Sequence, residues 1–287
     1  MNDNSSVWLC ETGWLAERLN APGLVVLDAT LFTPAEGRDA RAEYMQRRIP
    51  GAVFFDIAGL SDPNNPNPNM LPSPERFALE MRKLGVGDGM RIVIYDTRGV
   101  YSAPRAWWMF RVMGHNDVAV LNGGMKKWLA EGRPTEEGEP RPRGQRHFTA
   151  RKNAALVRDL SDMKAAVARG DKQIVDARSK ARFSGAEPEP WAVPRLGHMP
   201  GACSLPFGEL VTPEGVMKPA AEIYEIFSRA GVDPNKPVIA TCGSGVTACT
   251  LALGLAVIGN EHTPVYDGSW YEWSNAADAP VEGPKTD

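Results

Sequence analysis

The segment Thr241-Cys-Gly-Ser-Gly-Val-Thr-Ala-Cys249 is where the residue types and their spacing point most directly to chemistry. Cys242 follows a short apolar run, 238–241, that has the character of a buried strand. An apolar stretch of helical length, 246–258, comes next. Gly243 and Gly245 permit a tight turn between the two. A strand, a glycine-rich turn and a helix N-terminus aim backbone N–H groups at one point and so form an anion cradle, here made of Gly243, Ser244, Gly245, Val246 and Thr247. A thiol at that point is expected to ionise readily, because the helix dipole and the N–H groups favour thiolate. Ser244 and Thr247 add hydroxyl donors. The cradle could hold a thiolate, a persulfide anion or a charged leaving group. Two other readings compete. One is a buried core cysteine beside a tight turn. The other is a phosphatase loop, which needs an arginine six residues after the nucleophile, where Ala248 stands. Cys249 falls inside the helical stretch and reads as a small buried side chain.

The elements that position this loop occur twice. Arg91-Ile-Val-Ile-Tyr-Asp-Thr97, Gly114-His115 and Leu121-Asn-Gly-Gly-Met-Lys-Lys-Trp128 return as Pro237-Val-Ile-Ala-Thr-Cys-Gly243, Gly259-Asn260 and Tyr266-Asp-Gly-Ser-Trp-Tyr-Glu-Trp273. Upstream, Val25-Val-Leu-Asp-Ala29 matches Ile174-Val-Asp-Ala177, and Ile49-Pro-Gly-Ala52 matches Met199-Pro-Gly-Ala202. Asp96 stands opposite Cys242 at a spacing of 146, and Trp128 opposite Trp273 at 145, so the first loop is one residue longer. Ordered anchors at so long a period mean a tandem domain duplication, not a solenoid. Apolar runs at 24–27, 92–95, 174–175 and 238–241 predict buried strands, and 102–113 and 246–258 predict helices. That alternation predicts an α/β class in which each copy is a mainly parallel sheet with helices on both faces. The expected boundaries are residues 1–134 for the first copy, a linker at 135–155 rich in Gly, Pro, Glu and Arg, and 156–287 for the second. The Pro- and Asn-rich stretch 64–74 reads as a surface connector.

Composition narrows the function. The 287 residues are 43% hydrophobic and 23% charged with a net charge of -3, which is the balance of a soluble globular protein of two domains. There is no basic excess to hold nucleic acid or an anionic membrane. No apolar run is long enough to span a bilayer. Residues 1–11 lack the basic start and apolar middle of a signal peptide. The four cysteines form no C-x-x-C, and the four histidines share no metal-ligand spacing with them. A reducing, cytoplasmic setting without structural zinc is therefore expected.

With these residues in view, the chain resembles the two-domain rhodanese-type sulfurtransferases, and among them the 3-mercaptopyruvate-using branch. The resemblance rests on Ile49-Pro-Gly-Ala-Val-Phe-Phe-Asp56, Tyr95-Asp-Thr97, Ser102-Ala-Pro-Arg-Ala-Trp-Trp-Met-Phe110, Gly197-His-Met-Pro-Gly201, the Cys242 loop and Tyr266-Asp-Gly-Ser-Trp270, and it covers almost the whole chain. It implies tandem rhodanese-like domains and ping-pong sulfur transfer through a Cys242 persulfide. The donor would be 3-mercaptopyruvate and the acceptor a thiol, thioredoxin or cyanide, with no cofactor or metal. The neutral Gly243-Ser244 pair fits mercaptopyruvate; thiosulfate-preferring members carry basic residues there. Asp96 cannot carry sulfane sulfur, so the first copy is expected to be non-catalytic, with Asp96 capping the helix that follows.

The resemblance also marks departures. The family's donor-carboxylate arginines correspond to Arg182 and to position 191, where this chain has Trp191; Arg195 is the nearby substitute. The family's His before Ile-Pro-Gly-Ala is Arg48 here, which cannot act as a base and is expected instead to add positive potential, either lowering the Cys242 pKa or gripping an anionic donor. His198, its counterpart in the second copy, reads as structural. Donor preference is thus expected to differ from the family's. Thiosulfate, another thiol donor, or a non-catalytic persulfide-carrying or binding role are the alternatives.

Overall fold

Hydrophobic periodicity of two different lengths divides the chain into short strands and the helices that cross between them, and the same order is built twice. The computed structural model describes residues 6–283. The expected outer bounds at 1 and 287, and the first five residues of the polar start, lie outside the described residues. In the first unit, β1 (Leu9–Cys10), β2 (Leu24–Asp28), β3 (Val53–Phe54), β4 (Arg91–Tyr95) and β5 (Val118–Leu121) form one parallel sheet in the order β1-β5-β4-β2-β3. In the second, β6 (Val157–Arg158), β7 (Gln173–Asp176), β8 (Ala202–Ser204), β9 (Val238–Thr241) and β10 (Val265–Tyr266) repeat it as β6-β10-β9-β7-β8. All strand pairs are parallel.

Parallel strands need crossover helices, and these bury both sheet faces. In the first unit Leu15, Met125 and Trp128 pack with Val26, Val93 and Tyr95. Phe77 and Phe110, from two other helices, meet Phe55, with ring centroids 6.3 and 5.6 Å away. In the second unit Met163, Trp270 and Trp273 pack with Ile174, Ile239 and Tyr266. β4 and β9 are the middle strands, and the order switches around each. In open parallel sheets that switch point, at the carboxyl end of the strand, is where ligands bind.

The units do not follow the simple halves of the sequence. Unit 1 takes residues up to Asp62, Leu71–Asn153 and Val211–Met217; unit 2 takes Pro63–Met70, Ala154–Leu210 and the chain from Lys218. The stretch expected as a linker is a strap on unit 1 as far as Asn153. Phe148 is buried, with its ring centroid 5.7 Å from that of Phe77. Thr149 binds Asp88, and the Arg151 and Asn153 amides donate to Met113 and Val112. One apolar anchor among polar neighbours leaves no period to read in sequence. The Pro- and Asn-rich stretch likewise is more than a surface connector, because 63–70 packs into unit 2. No helix among the described residues is long and apolar enough to cross a membrane.

Candidate active site

Cys242 stands at the carboxyl end of β9 and is buried. Gly245 takes a φ of 76°, open to glycine at little cost, and turns the chain into the helix Ala248–Val257. The loop is tied down at its carbonyls. The Trp270 amide donates to Cys242 O and the Tyr271 amide to Gly243 O, both at 2.9 Å. The amides of Ser244, Val246 and Thr247 have no acceptor among the described residues. Ser269 Oγ accepts from the Cys242 amide at 3.2 Å and lies 3.9 Å from Cys242 Sγ. Cys249 is buried, as read from the sequence, and its thiol donates to Gly245 O at 3.3 Å.

The first copy displays what such a loop does with an anion. Asp96 directly follows β4 and is fully buried. Its Oδ1 accepts from the amides of Arg98 (2.8 Å) and Gly99 (3.0 Å). Its Oδ2 accepts from Tyr101, Ser102 and Ala103, all at 2.9 Å. Desolvation pushes the Asp96 carboxyl above the usual carboxylate range, and these amides oppose the shift. The last two open the helix Ala103–Val112, so Asp96 does cap it, from six residues upstream of the cap position. The corresponding amides in unit 2 belong to Ser244, Gly245, Val246, Thr247 and Ala248.

Arg182 reaches the same loop. A Cβ placed on Gly243 would lie 2.5 Å from Arg182 Nη2, 3.3 Å from Glu189 Oε2 and 3.6 Å from Trp191 Cζ3. Gly243 is therefore glycine for close approach. Glu189, which sequence reasoning missed, is buried between two arginines. Its Oε1 accepts from Arg178 Nη1 at 2.7 Å, and its Oε2 accepts from Arg182 Nε at 3.1 Å and from Arg182 Nη2. Arg178 in turn is fully buried on Asp176 and on Gly197 O. The Arg182 side chain keeps 23% of its surface, and its hydrogen bonds to Glu189 use Nε and Nη2, leaving Nη1 outside that pair.

Two expected site residues have other work. Arg195 spends its guanidinium on the carbonyls of Trp273, Ser274, Ala276 and Ala279, at the end of the helix Ser269–Asn275. A cation there satisfies the carbonyls that a helix C-terminus leaves over, so the expected donor contact is replaced by a cap. Arg48 is fully buried within unit 1. It binds Gly138 O at 2.6 Å and Glu136 Oε1 at 3.2 Å, fastening the strap, and not a donor anion. His198 stacks on Phe183, and its Nδ1 lies 3.0 Å from Phe183 O, a local structural role. Asn69, in the stretch read as a connector, donates to Ser244 Oγ at 3.2 Å, and its neighbour Asn67 donates to Glu272 Oε1. No sequence signal ties Asn69 to a loop 175 residues away, or Asn67 to a helix 205 residues away.

Burial pushes the Cys10 thiol up to about 12 and raises that of Cys203. Among the described residues, no three His, Cys, Asp or Glu side chains stand together as a metal site.

The profile of the rhodanese-like domain matches residues 11–131 and 159–276. The chain is 44% identical over 271 residues to human 3-mercaptopyruvate sulfurtransferase, covering 92% of this chain and 91% of that one. It is 42% identical over 276 residues to bovine thiosulfate sulfurtransferase, covering 94% and 92%. The crystal structure of SseA from Escherichia coli, a 3-mercaptopyruvate enzyme with the rhodanese fold, superposes with a TM-score of 0.84 at 41% identity, over 92% of this chain and 98% of that one.

Proposed function

The chain belongs to the family of rhodanese-like domain proteins, and we propose that it is a 3-mercaptopyruvate sulfurtransferase with Cys242 as its sulfur carrier. The observation that carries the assignment of Cys242 is the Asp96 loop. There the same strand, turn and helix hold a buried carboxylate with five amides. Placing a thiol at that point gives a sulfur aimed at amides preorganised for negative charge.

The Cys242 thiolate attacks the donor sulfur and the donor's C–S bond breaks. The electron pair leaves with carbon as the enolate of pyruvate, which a solvent proton converts to pyruvate. The transferred sulfur stays on Cys242 as a persulfide whose terminal sulfur faces the loop amides. An acceptor thiolate, that of thioredoxin or a small thiol, or cyanide, then attacks the outer sulfur. The S–S bond breaks and its electron pair returns to Cys242 Sγ. Binding rests on Arg182, whose Nη1 takes the donor carboxylate while Glu189 fixes Nε and Nη2. Trp191 supplies an apolar wall in place of a second cation. Arg48 and Arg195 are structural in this scheme, and a Ser–His–Asp relay is not part of it. A reducing, cytoplasmic setting belongs to the same proposal, since the four cysteines are free.

The test is intact-mass analysis after single-turnover exposure to 3-mercaptopyruvate or to thiosulfate, with Cys242→Ser as control. One added sulfur from mercaptopyruvate on the wild type and none on the variant is expected. Loading from thiosulfate alone would move the assignment to a thiosulfate sulfurtransferase. No loading from either donor would leave a carrier or binding role.

A further inference from the structure

Ser269 adopts a backbone conformation that a serine has no local reason to adopt. Its φ is 51°, in the left-handed region, while it opens the helix Ser269–Asn275 fully buried. Left-handed φ is unfavourable for residues with a Cβ, and glycine removes the cost. The duplication supplies the comparison. The equivalent residue of the first copy, at the same spacing of 145 that relates Trp128 to Trp273, is Gly124, whose φ is 52°. At this residue φ is the same in both copies, although the residue before it differs, Gly123 at 90° and Gly268 at -69°. The non-catalytic copy uses the unstrained residue there, and the copy with the cysteine keeps a hydroxyl. Strain retained at one site and relieved at its twin marks a side chain with a function.

The contacts identify that function. Ser269 Oγ accepts from the Cys242 amide at 3.2 Å and lies 3.5 Å from Thr241 Oγ1. Its single proton has two acceptors within reach, Tyr266 O at 2.8 Å and Cys242 Sγ at 3.9 Å. A neutral thiol is a weak acceptor, so the carbonyl holds the proton. A thiolate is a charged acceptor and competes for it.

We propose that Ser269 is a further catalytic residue, whose hydroxyl turns from Tyr266 O to Cys242 Sγ whenever that sulfur is an anion. This rests on the reading of Cys242 as the sulfur carrier. The hydroxyl then acts twice in a turnover. Before the first step it stabilises the attacking thiolate. In the second step the acceptor thiolate forms a bond to the outer sulfur, the S–S bond breaks, and the electron pair arrives on Sγ beside the Ser269 proton. The proton moves between hydrogen-bond acceptors and never leaves Oγ, so the step consumes no further reactant.

Two variants separate this role from a structural one. Ser269→Ala removes the hydroxyl and keeps the left-handed strain; Ser269→Gly removes both. The expected result is that both alkylate Cys242 with iodoacetamide at pH 7 about ten-fold more slowly than wild type, one charge-assisted hydrogen bond being lost. Sulfur-transfer kcat should fall by about the same factor, with the donor KM within about two-fold. The glycine variant should melt no lower than the alanine variant, because its backbone is relaxed. Wild-type alkylation and kcat in the folded Ser269→Gly protein would overturn the proposal. Alkylation needs no sulfur donor, so this arm still decides the role of Ser269 if neither donor loads the wild type and the sulfur-carrier reading itself fails.

Discussion

Asp96 and Cys242 directly follow the middle strands of two equivalent sheets, and Asp96 fills its loop as its own bound anion. Both carboxylate oxygens are saturated by amides, three on one and two on the other. Unit 1 therefore keeps the anion cradle as a structural device, where in the proposed reaction unit 2 leaves it for a substrate-derived sulfur. Replacing Asp96 with Asn puts an NH₂ group against at least two of these amides and strands them in a buried site. A loss of about 3–5 kcal/mol is expected. Chemical denaturation of the Asp96→Asn protein checks this, and a change below about 1 kcal/mol would contradict it.

Gly243→Ala should damage donor binding while sparing the fold. The new Cβ meets Arg182 Nη2, the far end of a long side chain, so the guanidinium shifts on Glu189 and the backbone stays. The guanidinium is then displaced from its place beside the loop. Steady-state kinetics should give a KM for 3-mercaptopyruvate raised about ten-fold, with iodoacetamide alkylation of Cys242 close to wild type. An unchanged KM would remove Arg182 from the donor site.

Trp191→Arg should act in the opposite direction. Trp191 lies beside Gly243, where a second guanidinium would join Arg182 on a donor carboxylate. One charged hydrogen bond corresponds to about 10- to 100-fold in affinity. The KM for 3-mercaptopyruvate should fall within that range. Equal turnover by the two proteins would mean that Trp191 does not set donor preference.

What the sequence made legible was whatever is written locally. The parallel α/β class, the duplication and the Cys242 turn all follow from short apolar runs, glycines and fixed offsets. Glu189 was illegible because nothing in Glu187-Pro-Glu-Pro190 says which carboxylate turns inward between two arginines. Asn69 was hidden in a stretch whose composition signals a loop, and only the fold carries it to Ser244. Arg195 and Arg48 show a different limit. An arginine's five donors suit a ligand carboxylate and a set of backbone carbonyls equally well, so the type of residue does not reveal which it binds. Ser269 could have been found from the repeat, where it stands opposite a glycine in an otherwise similar motif.

Arg48 and Arg195 yield a joint prediction, because each is spent on internal acceptors. Arg48→Met and Arg195→Met should each lower stability, by about 1–3 kcal/mol, through part-buried carbonyls left without their donor and, for Arg48, a Glu136 left without its cation. Neither should change the donor KM by more than about two-fold once the fold is intact. A ten-fold KM effect in either variant would return that arginine to the donor site.

Asp28 gives the clearest pH dependence. It is buried at the end of β2, and burial raises its carboxyl from the ordinary 3.8 to about 6, against hydrogen bonds from Thr30 and Tyr95. A carboxyl raised by folding binds its proton more tightly in the native state. Its contribution to stability is fully present below about pH 4 and is lost as the pH rises through about 6. Two pH units correspond to about 3 kcal/mol. Asp28→Asn removes this titration while keeping an acceptor for the Thr30 hydroxyl, which lies 2.5 Å away in the wild type. Urea denaturation at pH 4.5 and pH 7 should therefore give a smaller loss of stability on going to pH 7 for the variant than for the wild type. Identical pH dependence in the two proteins would show that Asp28 is ionised at the same pH folded and unfolded.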